Sequence, residues 1–161
     1  MEVTADQLAG IVDQFGAMTR AELAEGLAEL AFKQGEEYDT DAFDAQIDDA
    51  EASYHLISLD PERAGLDQSL DEEVFVPGPV AFPELPQDGQ DLLHILDIDG
   101  RFPDREAAGT VAAQRFLSEA AAAVDAGETE KIGMLVDVSY ELEAWASVDL
   151  SETRTRLDES R

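Results

Sequence analysis

The stretch of this chain closest to a recognisable chemical site is ILDIDGRFPDRE, residues 95 to 106. In a twelve-residue calcium loop, oxygen ligands recur at alternate positions, a glycine makes the sharp turn at position 6, and a glutamate closes the shell at position 12. Asp97, Asp99, Gly100 and Glu106 fall at positions 3, 5, 6 and 12 of that pattern. Position 1 is Ile95, which offers no oxygen, and Pro103 stands at position 9. Without its first ligand the stretch reads instead as an Asp–Gly turn that launches a helix, with Asp104 as the cap. Neither a metal nor a cofactor is expected here or elsewhere.

His55 and His94 are the two histidines. Each lies among apolar residues without a motif partner, so each is expected to be a partly buried structural side chain. The chain has no cysteine, which removes disulfides, thiolate nucleophiles and Cys-ligated zinc or iron–sulfur sites. No G-x-S-x-G, P-loop or G-x-G-x-x-G occurs. Carboxylates are so frequent that no acid/base pair stands out. One further segment draws notice: SYELEAW, residues 139 to 145, holds the single tryptophan, Trp145, with Tyr140 nearby. Aromatics of this kind often anchor interfaces, although Trp145 is also in register with Leu135, Val138 and Leu142, as a core residue would be. Tyr140, Trp145 and His94 are therefore the candidate interaction residues. No catalytic set is expected, and the chain is read as a non-enzyme.

The elements that would position these residues follow from charge and periodicity. The chain has 161 residues with 38 acidic and 10 basic side chains, a formal net charge of −28. The hydrophobic fraction is 44%, and these residues recur at helical spacing, so the chain is expected to fold despite its charge. The acids are spread along the whole sequence, and Lys33 and Lys131 are the only lysines, against eight arginines. That distribution is the one expected of adaptation to molar salt, where the Debye length falls to about 3 Å. The opening Met1-Glu2-Val3-Thr4-Ala5-Asp6 has no apolar core of a signal peptide, and no run approaches the ~20 apolar residues of a membrane span, so a soluble cytoplasmic protein is expected.

Leu8, Ile11, Val12 and Phe15 mark the first helix, with Gly16 as its stop. Thr19 and Glu22 form a capping box for a second helix, whose buried side is Leu23, Leu27, Leu30 and Ala31 and which ends near Gly35. Asp39 or Thr40 caps a third, with Phe43, Ile47, Ala50 and Tyr54 inward. YHLISL, residues 54 to 59, reads as a strand. The acidic loop Asp60–Glu73 follows, and then VFVPGPVAF, residues 74 to 82, is a second strand that must lie at an edge or end at Pro77. Residues 83 to 103 form a linker packed by Leu92, Leu93, Ile95 and Leu96. A long helix from Asp104 to Ala126 has Val111, Phe116, Leu117, Ala120 and Val124 as its greasy side, and Gly127 ends it. A second helix, from about Glu128 to Trp145, completes a helical hairpin, and Ser151 caps a short final helix through Leu157.

Three helices followed by a two-stranded hairpin resemble the element order of a winged-helix domain. The expected fold is mainly α (α+β): a winged-helix-like three-helix unit with a small β-hairpin over residues 1–82, a packed linker over 83–103, and a C-terminal helical hairpin with a short final helix over 104–161, in one compact domain. The resemblance would put residues 40 to 54 at the DNA-recognition position. That helix carries Asp41, Asp44, Asp48, Asp49 and Glu51 and no Lys or Arg. DNA affinity comes mostly from cations on phosphates, so DNA is an unfavoured partner, and another protein or a second copy of the chain is favoured. VDQFGAMTRAELAEGLAELAFKQG, VPGPVAFPELP and VSYELEAWASVD together resemble a family of small acidic haloarchaeal proteins of unknown function. The resemblance implies no activity, substrate or site residue. The expected role is a non-catalytic regulatory or protein-interaction module, with a DNA-binding transcriptional regulator as the alternative.

Overall fold

The computed structural model describes residues 1–66 and 70–161. Asp67, Gln68 and Ser69, part of the acidic loop expected between the strands, lie outside the described residues. Among the described residues the protein is mainly α, with seven α-helices and one small three-stranded antiparallel sheet. The chain divides into two compact units, Met1–Asp104 and Arg105–Arg161.

In the first unit, α1 (Ala5–Phe15) opens on a capping box in which Thr4 and Gln7 satisfy each other's backbone donors. It stops at Gly16, whose φ of 84° suits glycine. A Cβ there would meet the Arg101 carbonyl oxygen at 1.8 Å, so the close approach of the chain also requires glycine. β1 (Met18–Thr19) leads directly into α2 (Arg20–Lys33), which is capped by the Thr19–Glu22 box. α3 (Thr40–Ala52) is capped by Asp39, whose Oδ1 accepts from the Ala42 amide. Its inward residues Phe43, Ile47 and Ala50 are buried at helical spacing. Tyr54 follows in a left-handed turn at φ 65° and is fully buried.

β2 (Leu56–Leu59) and β3 (Val74–Pro77) pair with Ser58 opposite Phe75 and Leu56 opposite Pro77. The sheet order is β1-β3-β2, so the expected two-stranded hairpin is corrected. A third strand is present, because Met18 and Thr19 pair with Phe75 and Val74. β3 is therefore the central strand, and of the two readings, an edge or an end at Pro77, the second holds. It tolerates Pro77 because the strand ends there, where no further ladder donor is needed. The chain leaves through Gly78, whose amide donates to the His55 carbonyl.

A 3₁₀ turn (Gly89–Asp91) and α4 (Leu92–Ile95) complete the unit. Four residues were expected to pack this segment; only Leu92 and Leu96 are buried, while Leu93 and Ile95 are exposed. A single helical turn puts only i and i+4 on one side, and that side meets α2 at Gly26. The core joins Leu8, Ile11, Phe15, Leu23, Leu27, Leu30, Phe43 and Ile47.

The second unit contains α5 (Arg105–Ala126), α6 (Thr129–Trp145) and α7 (Ser151–Glu159). Gly127 ends α5 at φ 65°. The buried side of α5 is built from Ala108, Ala112, Ala113, Phe116, Ala120 and Ala123. The greasy side read from the sequence holds at Phe116 and Ala120, but Leu117 is 46% exposed, and Val111 and Val124 are half-buried. Alanines let helices approach closely, and that geometry swings the larger neighbours outward. α6 buries Ile132, Leu135, Val138 and Leu142, while Trp145, read into the same stripe, is half-buried. Ser151 is not the cap of α7 but its first residue; its amide and hydroxyl donate to Asp149 Oδ1 at 3.0 and 2.6 Å. A carboxylate outcompetes a hydroxyl at a helix N-terminus, where the backbone dipole favours negative charge.

Candidate functional site

The α3 face follows from its periodicity. With Phe43, Ile47 and Ala50 turned inward, Asp41, Asp48 and Asp49 are exposed and Asp44 and Glu51 half-buried. One cation reaches this face from α2. Arg20 Nη2 donates to Asp48 Oδ1 at 2.6 Å, Nη1 stands 3.7 Å from Asp44 Oδ1, and the guanidinium lies 5.5 Å from the centre of the Phe75 ring. Arg20 itself lines an open groove of about 580 Å³ together with Ala21, Ala24, Phe75, Asp44, Glu72 and Glu73. A groove of this kind attracts a cationic side chain with an aliphatic stem and repels a phosphate.

A second constellation joins three residues that the sequence did not connect. Ser53 Oγ and His55 Nδ1 are 2.6 Å apart, and His55 Nε2 stands 3.6 Å from Asp6 Oδ1. The types are those of a nucleophile, base and orienting acid. Their wiring favours scaffolding: Ser53 Oγ also donates back to the Ala50 carbonyl at 3.2 Å, as a helix-terminal serine does. Asp6 Oδ1 accepts from the Phe82 amide at 3.0 Å, and the Asp6 carbonyl accepts from Glu84. The trio ties the start of α1, the end of α3 and residues 82–84 together. Asp6 lies 49 positions from His55, and no local motif signals the contact.

The loop once read against a calcium pattern serves a different purpose. Arg101 makes a bidentate pair with Glu22, Nη1 to Oε1 at 2.6 Å and Nη2 to Oε2 at 2.8 Å, and Nη1 also donates to the Ala17 carbonyl. The Arg101 amide donates to the Phe15 carbonyl. Burial raises the Glu22 carboxyl, but the hydrogen bonds from Arg101 and the Thr19 amide outweigh it and hold its pKa below the ordinary value. Glu22 thus serves two structures at once, the cap of α2 and the clamp on residues 97–103. Among the described residues, no group of three or more His, Asp or Glu is placed to hold a metal ion.

The three residues singled out in the sequence are not brought together. His94 lies on α4 and is exposed, so it is not the partly buried side chain expected; on a one-turn helix it faces away from Leu92 and Leu96. Tyr140 and Trp145 share α6 but lie five positions apart, on different sides. Tyr140 is 57% exposed, with the Arg154 guanidinium 4.1 Å from its ring centre. Trp145 is half-buried under Arg105, at 5.4 Å. Arg154 Nη1 donates to Ser139 Oγ at 3.0 Å and to Glu143 Oε1 at 2.7 Å, while Glu143 Oε2 accepts from the Leu150 amide at 2.8 Å. The Leu150 amide and then Arg154 pull the Glu143 carboxyl below its ordinary pKa. These contacts fasten α7 to α6, and Tyr140 is the platform of that fastening.

The chain belongs to a family of unknown function, DUF7109, whose model covers residues 6–161. No curated protein and no solved structure matches it. Among the described residues, no helix is long and apolar enough to cross a membrane.

Proposed function

We propose that the first unit is a winged-helix-like module that binds another protein and not DNA, in a non-catalytic, regulatory role in a cytoplasm of molar salt, as in haloarchaea. The order α1-β1-α2-α3-β2-β3, with β1 against β3, supports the winged-helix reading. The observation that carries the choice of partner is the α3 face. Its five carboxylates stand where a DNA reader presents cations, and Arg20, which reaches that face, is engaged by Asp48 and lies over Phe75. Salt screens the repulsion of a polyanion but supplies no attraction. A protein segment with basic side chains meets the opposite field.

The deciding experiment is paired. A labelled duplex is titrated with the protein and followed by anisotropy, and the tagged chain is used to capture partners from cell extract in ~1 M salt. The wild-type chain and a D44N/D48N/D49N variant are compared. The expected result is no saturable duplex binding and a protein retained by the wild type and lost by the variant. Saturable duplex binding by the wild type would return the DNA-binding regulator to first place. Capture unaffected by the variant would remove α3 as the interaction face.

A further inference from the structure

We propose that the outer side of α5, with the groove between α5 and α7, is a self-association face through which two copies of the chain form a weak dimer that strengthens with salt. The inference rests on the second unit alone and is independent of what α3 binds.

Charge distribution is the first support. From Ala107 to Val124 the exposed positions of α5 are Thr110, Gln114, Leu117, Ser118, Ala121 and Ala122. Not one is charged, in a chain of net charge −28. The charged side chains of this stretch, Arg115 and Glu119, are half-buried and pair with each other at 2.7 Å, and Lys131 of α6 stands 3.9 Å from Glu119. Outward-facing positions elsewhere carry Asp41, Asp48 and Asp49 on α3, Asp137 and Glu141 on α6, and Glu152, Asp158 and Glu159 on α7. Two copies of so anionic a molecule repel wherever such faces meet. The neutral side of α5 is a place where they can touch without opposing carboxylates.

Shape is the second support. Leu117, Ala120, Ala121, Val124 and Asp125 of α5 and Thr153, Arg156 and Leu157 of α7 line a groove of about 340 Å³, and Arg156 is already paired with Glu152 of its own helix. Leu117 is 46% exposed at its margin. In an antiparallel pairing about a two-fold axis beside Ser118 and Ala121, Leu117 of each copy seats next to Ala121 of the other, in that groove. Asp125 then stands opposite Gln114 of the second copy, whose amide can donate to it. The pairing is self-complementary, as a two-fold interface must be. The neutral stretch from Thr110 to Ala122 is about 18 Å long, which places the buried area at the small end of specific interfaces and makes the dimer reversible. Because the whole molecules repel while the pairing forms no ion pair between the copies, added salt tightens the dimer. A complex held by charge pairs would loosen.

Sedimentation equilibrium on the full chain tests this, from the lowest salt at which the far-ultraviolet spectrum is native up to ~1 M KCl. The variants are L117E and A121E, with D137N on α6 as control; all three positions are exposed, and circular dichroism confirms their folding. The expected result is a monomer–dimer equilibrium that tightens with salt, weakened at least about tenfold by L117E and by A121E and unchanged by D137N. A monomer at every salt up to ~0.1 mM protein overturns the proposal. So does a dimer untouched by both α5 variants, or one that loosens as salt rises.

Discussion

α3 and α5 are both one-sided helices, and they are built in opposite ways. α3 turns Phe43 and Ile47 inward and carboxylates outward. α5 packs mostly alanines inward and leaves its outer side uncharged between Ala107 and Val124. The large side chains of α3 are held by the bulk they bury, and its outer face depends on the solvent to screen it. The small residues of α5 are held by proximity, and its outer face makes no demand on salt. The contrast suggests that acidity in this chain is placed and not merely spread.

The largest effect expected is global. Dialysis from ~1 M to dilute salt lengthens the screening distance from about 3 Å to tens of ångströms. A net charge of −28 then repels itself throughout the compact state. Far-ultraviolet circular dichroism should lose its helical signal, and the signal should return when salt is restored. A spectrum unchanged in dilute buffer would mean that the carboxylates are not a solvent adaptation, and the contrast between the two faces would lose its physical basis.

The inner faces separate next. Phe43 is 2% exposed, and Phe43→Ala should cost about 3–5 kcal/mol through the cavity it leaves. On α5 the sensitive direction is reversed. Ala112 is fully buried, and Ala112→Leu should cost about 1–3 kcal/mol by overpacking. Chemical denaturation in ~1 M salt measures both. A harmless Ala112→Leu would show that the α5 contact is loose.

Much of this contrast was legible in the sequence and some was not. Capping boxes and helical spacing are local signals, so α2 with Thr19 and Glu22, α3 with Asp39, and the buried stripe of α6 could all be read. β1 could not: two residues, the second of them the helix cap Thr19, carry no periodicity, and their pairing with Phe75 and Val74 is made by the fold. Leu117 was misassigned because periodicity rewards the largest apolar residue, while close helix packing selected the alanines beside it. The candidate surfaces were half legible. The carboxylates of α3 are plain in the sequence, but Arg20 across them, the clamp from Arg101 and the neutrality of only the exposed α5 positions need three dimensions.

The arginine clamps give an intermediate effect. Arg101 and Glu22 are both largely buried at their side chains, and Arg101→Ala should cost about 1.5–3 kcal/mol. The pH dependence follows from the lowered Glu22 pKa. Its stabilisation is fully present above the carboxyl's unfolded value and is lost as pH falls through the folded one. The difference between wild type and E22Q should therefore shrink on acidification below about pH 4. Glu143 in the second unit shifts in the same direction but through a backbone amide first, so E143Q should loosen α7, seen as faster amide exchange at Leu150. A pH-independent E22Q difference would mean that the carboxylate charge plays no part in the clamp.

The smallest effect isolates one outer-face charge. Asp49 is exposed, so Asp49→Asn in ~1 M salt should change stability by less than about 0.5 kcal/mol. In the most dilute buffer that still supports the fold, the same change should stabilise slightly, because it removes one charge from a repelling set. Asp48→Asn should not share that gain, since Asp48 receives Arg20 at 2.6 Å and an exposed pair of this kind is worth up to about 1 kcal/mol. Gln114→Glu on the neutral side of α5 completes the comparison. It adds a carboxylate where none faces solvent, and in the monomer it should be close to neutral in molar salt and mildly destabilising in dilute salt. If Asp49→Asn and Gln114→Glu move stability by equal and opposite amounts as salt falls, the two faces do not differ electrostatically, however different their sequences look.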